Sequence, residues 1–290
     1  MRWIMTNRIL AVGLAVLVFG SWVGFAEGTT LKVPEDFQRI QDAMREARRG
    51  DTIIVGPGRY EGPVDIKNGV VLRSADGPEV TTIVGYRWWV VRLADADTVT
   101  AVIGFTLAGG RAADRVVYCS GGGAPRVLDN VVERGWFGID CEGSSPTIRN
   151  NLVRLNKQGI HCLRCSPLVV RNHVTDNTKG IVIKDGSPRL RNNTIDLNKI
   201  GIVVEDYAVP TIGGSIEGAN DIFDNHGYNL QNLVKVKEEG IRTSSPGLLS
   251  CEYNYWGSDC PDRAKFMGAL DFKPWVDKEH SRKILSCPKE

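Results

Sequence analysis

Apolar and polar residues alternate in short runs through the middle of the chain, and the runs return at a fixed step. In Gly159-Ile160-His161-Cys162 the apolar Ile160 and Cys162 share one side and His161 takes the other, as in a half-buried strand. Two more runs follow, Pro167-Leu168-Val169-Val170-Arg171 and Asn172-His173-Val174-Thr175, leaving no room for a helix of ordinary length. Prolines stand at Pro125, Pro146, Pro167 and Pro188, each 21 residues from the last, and Pro210 follows after 22. Asn130, Asn151, Asn172 and Asn193 keep the same step. So do Gly138, Gly159, Gly180 and Gly201, each followed by isoleucine at 139, 160, 181 and 202.

Three short strands closed by turns make one rung of a coil. The pattern therefore predicts an all-β fold, a single-stranded right-handed parallel β-helix with three strands per rung of about 21 residues. Stacked rungs bring equivalent positions to about 4.8 Å, the spacing of paired strands. At that distance the asparagine amides can hydrogen-bond up and down their column, and asparagine also tolerates the left-handed backbone of a tight bend. Cys119, Cys141 and Cys162 fall at the inward position that Ile183 and Val204 fill later, so they are expected to be reduced core thiols. No histidine or carboxylate points inward beside them. Neither a metal site nor a cofactor is expected.

A solenoid must cover both of its open ends. Phe37, Ile40, Met44 and Ala47 recur at helical spacing between Pro34 and Arg49, which predicts an N-terminal capping helix stopped at Gly50. From Ser250 the repeat is lost and aromatic residues crowd in: Tyr253, Tyr255, Trp256, Phe266, Phe272 and Trp275. This segment is expected to close the other end, with Cys251–Cys260 as the preferred disulfide and Cys260–Cys287 as the competing pair. The first residues carry Arg2 and Arg8, an apolar stretch from Ile9 to Phe25, and small residues at Gly24 and Ala26. The expected organisation is a signal peptide over 1–26, a capping region over 27–50, the β-helix over 51–249 and a C-terminal cap and tail over 250–290. An uncleaved membrane anchor is the rival to cleavage, since the apolar stretch just reaches a spanning length. With cleavage no membrane span remains, and the protein is expected in the periplasm, at the cell surface or secreted.

The formal net charge is only +2, and two of those positive charges lie in the segment expected to be removed. Such a balance excludes the basic stripe of a nucleic-acid-binding protein. Seven cysteines suit an oxidising compartment, yet the odd number leaves at least one unpaired in a monomer.

Ile40-Gln41-Asp42-Ala43 and the run from Gly50 to Glu61 resemble the opening of pectin-lyase-like β-helix proteins, and Gly104-Phe105-Thr106 resembles their next recurring element. Pro210-Thr211-Ile212-Gly213-Gly214 and Asn254-Tyr255-Trp256-Gly257 resemble late elements of the secreted branch with carbohydrate-binding-type β-helix repeats. The resemblance covers nearly all of the mature chain. It implies the fold and a polysaccharide or cell-surface glycan as partner, but no single activity, since that superfamily holds lyases, hydrolases, esterases, epimerases and non-catalytic proteins.

The resemblance also implies a groove along one parallel sheet, and the sheet opening at each repeat glycine is the candidate. By alternation its outward positions are Tyr118, Asp140, Glu142, His161, Val182, Lys184, Val203 and Glu205. Asp140 and His161 should be vertical neighbours, as should Lys184 and Glu205. A carboxylate beside an imidazole suits acid–base chemistry, and Lys184 or Arg164 can neutralise a uronate as its α-proton leaves. Asp140, His161 and Lys184 are thus the candidate catalytic residues, with Tyr118, Trp136, Phe137, Glu142, Arg164 and Glu205 as substrate-binding candidates. Trp136 and Phe137 sit in a turn beside the sheet and suit stacking on sugar rings, and one of Trp88 and Trp89 should face outward. Charged outward ladders also serve solubility alone, and Val182 and Val203 interrupt a long cleft. The paired aspartates of β-helix methylesterases and the Asp-Pro-His-Asp motif of β-helix epimerases are absent. Asp95 and Asp97 lack calcium-loop spacing, and Gly121-Gly122-Gly123 lacks the helix of a phosphate cradle. The favoured function is a non-catalytic glycan binder or surface scaffold, the alternative an acidic-polysaccharide lyase or hydrolase. A third option is a periplasmic accessory factor, like β-helix proteins that assist copper-enzyme maturation.

Overall fold

The computed structural model describes residues 28–110, 113–238 and 241–287. The expected signal segment, 1–26, lies outside them. Among the described residues no helix is long and apolar enough to cross a membrane. The rungs contribute short strands to three sheets of nine, ten and eight strands, paired in parallel along the coil except for the last strand of the ten-strand sheet, Ile241–Pro246, which pairs antiparallel. This is the parallel β-helix that the columns predict.

The inward column is continuous. Cys119, Cys141, Cys162, Ile183 and Val204 pair rung on rung and are fully buried. The repeat glycines are there for space, since a Cβ on Gly138, Gly159 or Gly180 would meet the carbonyl of the next repeat glycine at 2.5–2.6 Å. The asparagine column is an unbroken ladder from Asn130 through Asn151, Asn172 and Asn193 to Asn220 and Asn254. Its backbone differs from expectation. The left-handed residue is the one before each asparagine (Asp129, Asn150, Arg171 and Asn192), which frees the amide to turn inward.

A second ladder, Asn156–Asn177–Asn198–Asn225, holds the corner between the eight-strand and ten-strand sheets. Each of its amides also donates to buried backbone carbonyls of its own turn and the rung before, so the corner polar groups are satisfied without water.

The capping helix spans Ile40–Glu46, shorter than the expected Pro34–Arg49. Thr30–Val33 already pairs as a strand with Thr52–Val55, and the backbone N–H groups of Asp36 and Phe37 then turn back onto the Lys32 carbonyl. Ile40, Ala43 and Met44 are buried against the end of the core. At the other end Trp256 and Trp275 join the core, with Phe266 and Phe272 stacked at 4.9 Å. There the Ser281 hydroxyl, helped by the backbone N–H groups of Ser281 and Arg282, holds the Asp277 carboxyl down to about 2.

The disulfide is Cys260–Cys287, and the preferred Cys251–Cys260 pairing is not formed. Cys251 follows the strand Leu249–Ser250 into the core and is fully buried, while Cys260 lies at the surface within reach of the tail. Burial pushes the Cys251 thiol up. Cys119, Cys141, Cys162, Cys165 and Cys251 are free and buried. Hydrogen bonding with Cys119 and Cys165 pushes the Cys141 thiol well up, and hydrogen bonding with Cys165 does the same to Cys162. Hydrogen bonding with Cys141 and Cys162 pulls the Cys165 thiol down. Burial shields all five from reagent, Cys165 included, so native protein is expected to show no rapidly reacting thiol, and protein unfolded without reductant to show all five. Titration with a chromogenic disulfide checks this, and fewer than five thiols after unfolding would contradict it.

Candidate functional site

Three outward columns cross the ten-strand sheet. The central one runs Asp65, Arg92, Tyr118, Asp140, His161, Val182 and Val203. The step is 21 from Asp140 onward to Val203, but 26 from Arg92 to Tyr118 and 22 from Tyr118 to Asp140. Longer turns between early rungs therefore bring residues together that a strict repeat would misplace.

Asp140 sits at the centre, and it is buried, with only 4% of its side chain exposed. Arg115 Nε donates to one of its oxygens at 2.6 Å and His161 Nδ1 lies 2.8 Å from the other. An ionised carboxylate can only accept, so His161 carries its proton on Nδ1 and keeps Nε2 as its second nitrogen. The Phe137 ring lies 4.9 Å from the imidazole. The Arg115 guanidinium lies over Tyr118 at 4.7 Å and approaches Phe137 at 5.7 Å. Burial opposes its charge, and the Asp140 carboxylate more than compensates. Asp140 is thus outward in register, as expected, yet covered by Arg115 and His161.

The second expected pair of vertical neighbours is present in register, but its ion pairs go to other residues. Lys184 and Glu205 are register neighbours, but Lys184 Nζ reaches Asp206 at 3.3 Å and Glu205 takes Lys179 at 3.6 Å. Lys184 is therefore not brought to Asp140 and His161. Tyr118 donates its hydroxyl to Glu142 at 3.1 Å, and burial followed by this bond pushes the phenol up. Arg164 lies 3.4 Å from the same Glu142. Val182 and Val203 are buried, so the polar face ends at His161.

Arg92 and Trp89 extend the site beyond the expected residues. The Arg92 guanidinium lies 4.3 Å from the centre of the Trp89 ring while Nε binds Asp65, and Trp89 lies 6.2 Å from Tyr118. Trp88, in the bend before the strand Trp89–Ala96, faces solvent, and Trp89 is half-buried on the sheet. The Trp89 indole N–H and the Gln158 side-chain carbonyl are buried without a partner, one a free donor and the other a free acceptor on the same face. Trp136 is 55% exposed at the edge of this sheet.

A family described as periplasmic copper-binding protein (NosD) matches residues 45–259. The chain belongs to the NosD family. Among solved structures, the NosD-family chain is similar to the A-module of mannuronan C-5 epimerase AlgE4 from Azotobacter vinelandii, at 16% identity and a TM-score of 0.40, covering 75% of this chain and 83% of that one. It is also similar to the AlgE6 A-module from the same organism, at 15% identity and a TM-score of 0.44, covering 86% and 94%. No curated protein matches it. The NosD family is periplasmic, in keeping with the expected export.

Proposed function

We propose that this NosD-family protein is a periplasmic accessory protein that binds a glycan on the aromatic and arginine-rich face of its ten-strand sheet without turning it over. The main support is that the carboxylates of this face are already engaged. Asp140 is held by Arg115 and His161, Glu142 by Tyr118 and Arg164, and Asp65 by Arg92. A general base needs a lone pair facing substrate, whereas a binding platform needs rigid rings and fixed donors. The half-buried Trp89 and Tyr118 rings, 6.2 Å apart, supply the rigid aromatic surface.

The Asp140–His161 pair favours an acidic-polysaccharide lyase as the second possibility, since an aspartate behind an imidazole is a frequent base arrangement. A glycan array run beside an unsaturated-product assay on polyuronates separates the two. Binding without turnover, weakened roughly tenfold or more by Trp89→Ala, is the expected result. Turnover abolished by His161→Ala would replace it with the lyase, and an absence of any glycan binding would remove both.

Copper, named in the family description, does not find a fitting donor set here. Among the described residues no three or more His, Cys, Asp or Glu side chains are grouped so that they could hold a metal ion. The core thiols are buried beneath the sheet, and the free Nε2 of His161 has no second and third donor grouped with it among the described residues.

A further inference from the structure

An open trough of about 590 Å³ runs along the corner held by the second asparagine ladder. Two columns form its walls. In one, backbone bonds from Lys157 to Gly135, Thr178 to Asn156, Lys199 to Asn177 and His226 to Asn198 stack those residues rung on rung. In the other, Arg134, Leu155, Asp176 and Leu197 follow one another, all with left-handed backbone, and Arg134 is paired with Glu133.

The two columns share a period of two rungs. One rung presents Leu155 with Lys157, the next Asp176 with Thr178, and the third Leu197 with Lys199. Leu155 and Leu197 are 48% and 44% exposed, in a backbone conformation that leucine adopts at a cost and asparagine or aspartate more cheaply. Neither the turn nor the core calls for leucine there. Lys157 and Lys199 are exposed and, among the described residues, take part in no ion pair. They stand two rungs, roughly 10 Å, apart. Trp136, exposed, heads the lysine column one rung before Lys157.

A 1,4-linked pyranose chain in an extended twofold form advances by close to one rung per sugar and turns over at each linkage. Carboxylates on one side of a polyuronate therefore recur at every second sugar. We propose that the trough binds such a chain lengthwise, alternate carboxylates on Lys157 and Lys199 and the apolar sugar faces on Leu155 and Leu197. Asp176 disfavours a carboxylate at the intervening position, so the register of charge is selected as well as its sign. Trp136 stacks on a sugar at one end, and His226 closes the other. This inference rests on the glycan-binding proposal above and names the acidic, extended class of ligand.

Calorimetry of the mature protein with 1,4-linked hexauronates tests it, against their carboxyl-reduced counterparts and against poly-aspartate of matched charge. The hexauronate should bind, and the reduced sugar and the polypeptide should bind at least roughly tenfold more weakly. Lys157→Glu with Lys199→Glu should lower hexauronate affinity by roughly tenfold to a hundredfold with an unchanged melting temperature. Lys278→Glu, exposed on the C-terminal cap outside the trough, should leave both affinity and melting temperature unchanged. Equal binding of the reduced sugar or of poly-aspartate, or full affinity in the double variant, would overturn the trough assignment while leaving glycan binding on the sheet face intact. Loss of hexauronate binding in Trp89→Ala but not in the lysine variant would place the acidic chain on the sheet face, against this inference. No binding to any glycan would remove the broader proposal.

Discussion

Asn172→Ala is expected to destabilise the protein by about 4 kcal/mol, far beyond the loss of a typical hydrogen bond. Its Oδ1 accepts from both the backbone N–H and the side-chain amide of Asn151, each at 3.0 Å. Its Nδ2 donates to the carbonyls of Ile148 and Val170 and to Asn193 Oδ1, at 3.0, 3.2 and 3.0 Å. Alanine removes all of these at once inside a turn that water does not enter. The Asn151 backbone N–H is then left unpaired, at about 1–3 kcal/mol, and the lost side-chain bonds add about 1 kcal/mol each. Asn172→Asp is expected to recover little, because it keeps the acceptor but lacks the donor and adds a charge beside three carbonyl oxygens. The matched control is Asn192→Gly, one residue before a ladder asparagine, exposed and with φ 54°. Glycine takes that conformation freely, which offsets the loss of the exposed bond from the Asn192 side chain to the Glu217 carbonyl, so this change should be close to neutral. Urea unfolding of the three variants checks both halves, and equal midpoints for Asn172→Ala and Asn192→Gly would refute the ladder's energetic role.

Arg115→Ala is expected to cost about 3 kcal/mol and to abolish glycan binding on the sheet face. Removing the guanidinium leaves the Asp140 carboxylate, only 4% exposed, with His161 as its remaining partner. It also takes the cation from over Tyr118 and from beside Phe137, so the rings lose the contact that fixes their spacing. Arg115→Ala combined with Asp140→Asn should be less destabilising than the sum of the two changes, since the charge that needed compensation is gone. Strict additivity in that cycle would show that the ion pair contributes nothing beyond its parts. Arg115→Lys should restore much of the stability but little of the binding, because an ammonium neither spans the two rings nor keeps the guanidinium's planar geometry.

The second asparagine ladder shows how a signal can be present and still be passed over. Asn156, Asn177 and Asn198 are spaced by 21 residues as regularly as the first column, but Gly135 stands at the preceding step and Asn225 follows after 27. A column interrupted on both sides reads as loop polarity until the rungs are stacked. The left-handed residues were misplaced by one because asparagine suits both roles, and only the hydrogen bonds separate the residue that bends from the residue that fills the bend. Asp140 and His161 were legible as neighbours from the 21-residue step, whereas the contact with Arg115 was not, since 25 residues and a longer turn lie between. Lys184 and Glu205 were legible as register neighbours, but not their ion pairs, since a long lysine side chain can choose between adjacent carboxylates and Asp206 lies within its reach. The disulfide depends on where the tail returns after Trp275, for which spacing in sequence carries no information.

The rung, its inward column and the parallel stacking were determined by the sequence alone, because each follows from local alternation repeated in register and needs only the strand spacing to become three-dimensional. Burial of Asp140, the choice of ion-pair partners, the Cys260–Cys287 bond and the two-rung period of the corner trough were decided by the tertiary structure. Those features depend on turns of unequal length and on long side chains that reach between rungs. A repeat specifies where backbones lie beside one another, while charge pairing and burial on the outer face are settled by distances of an ångström or two that the repeat does not encode.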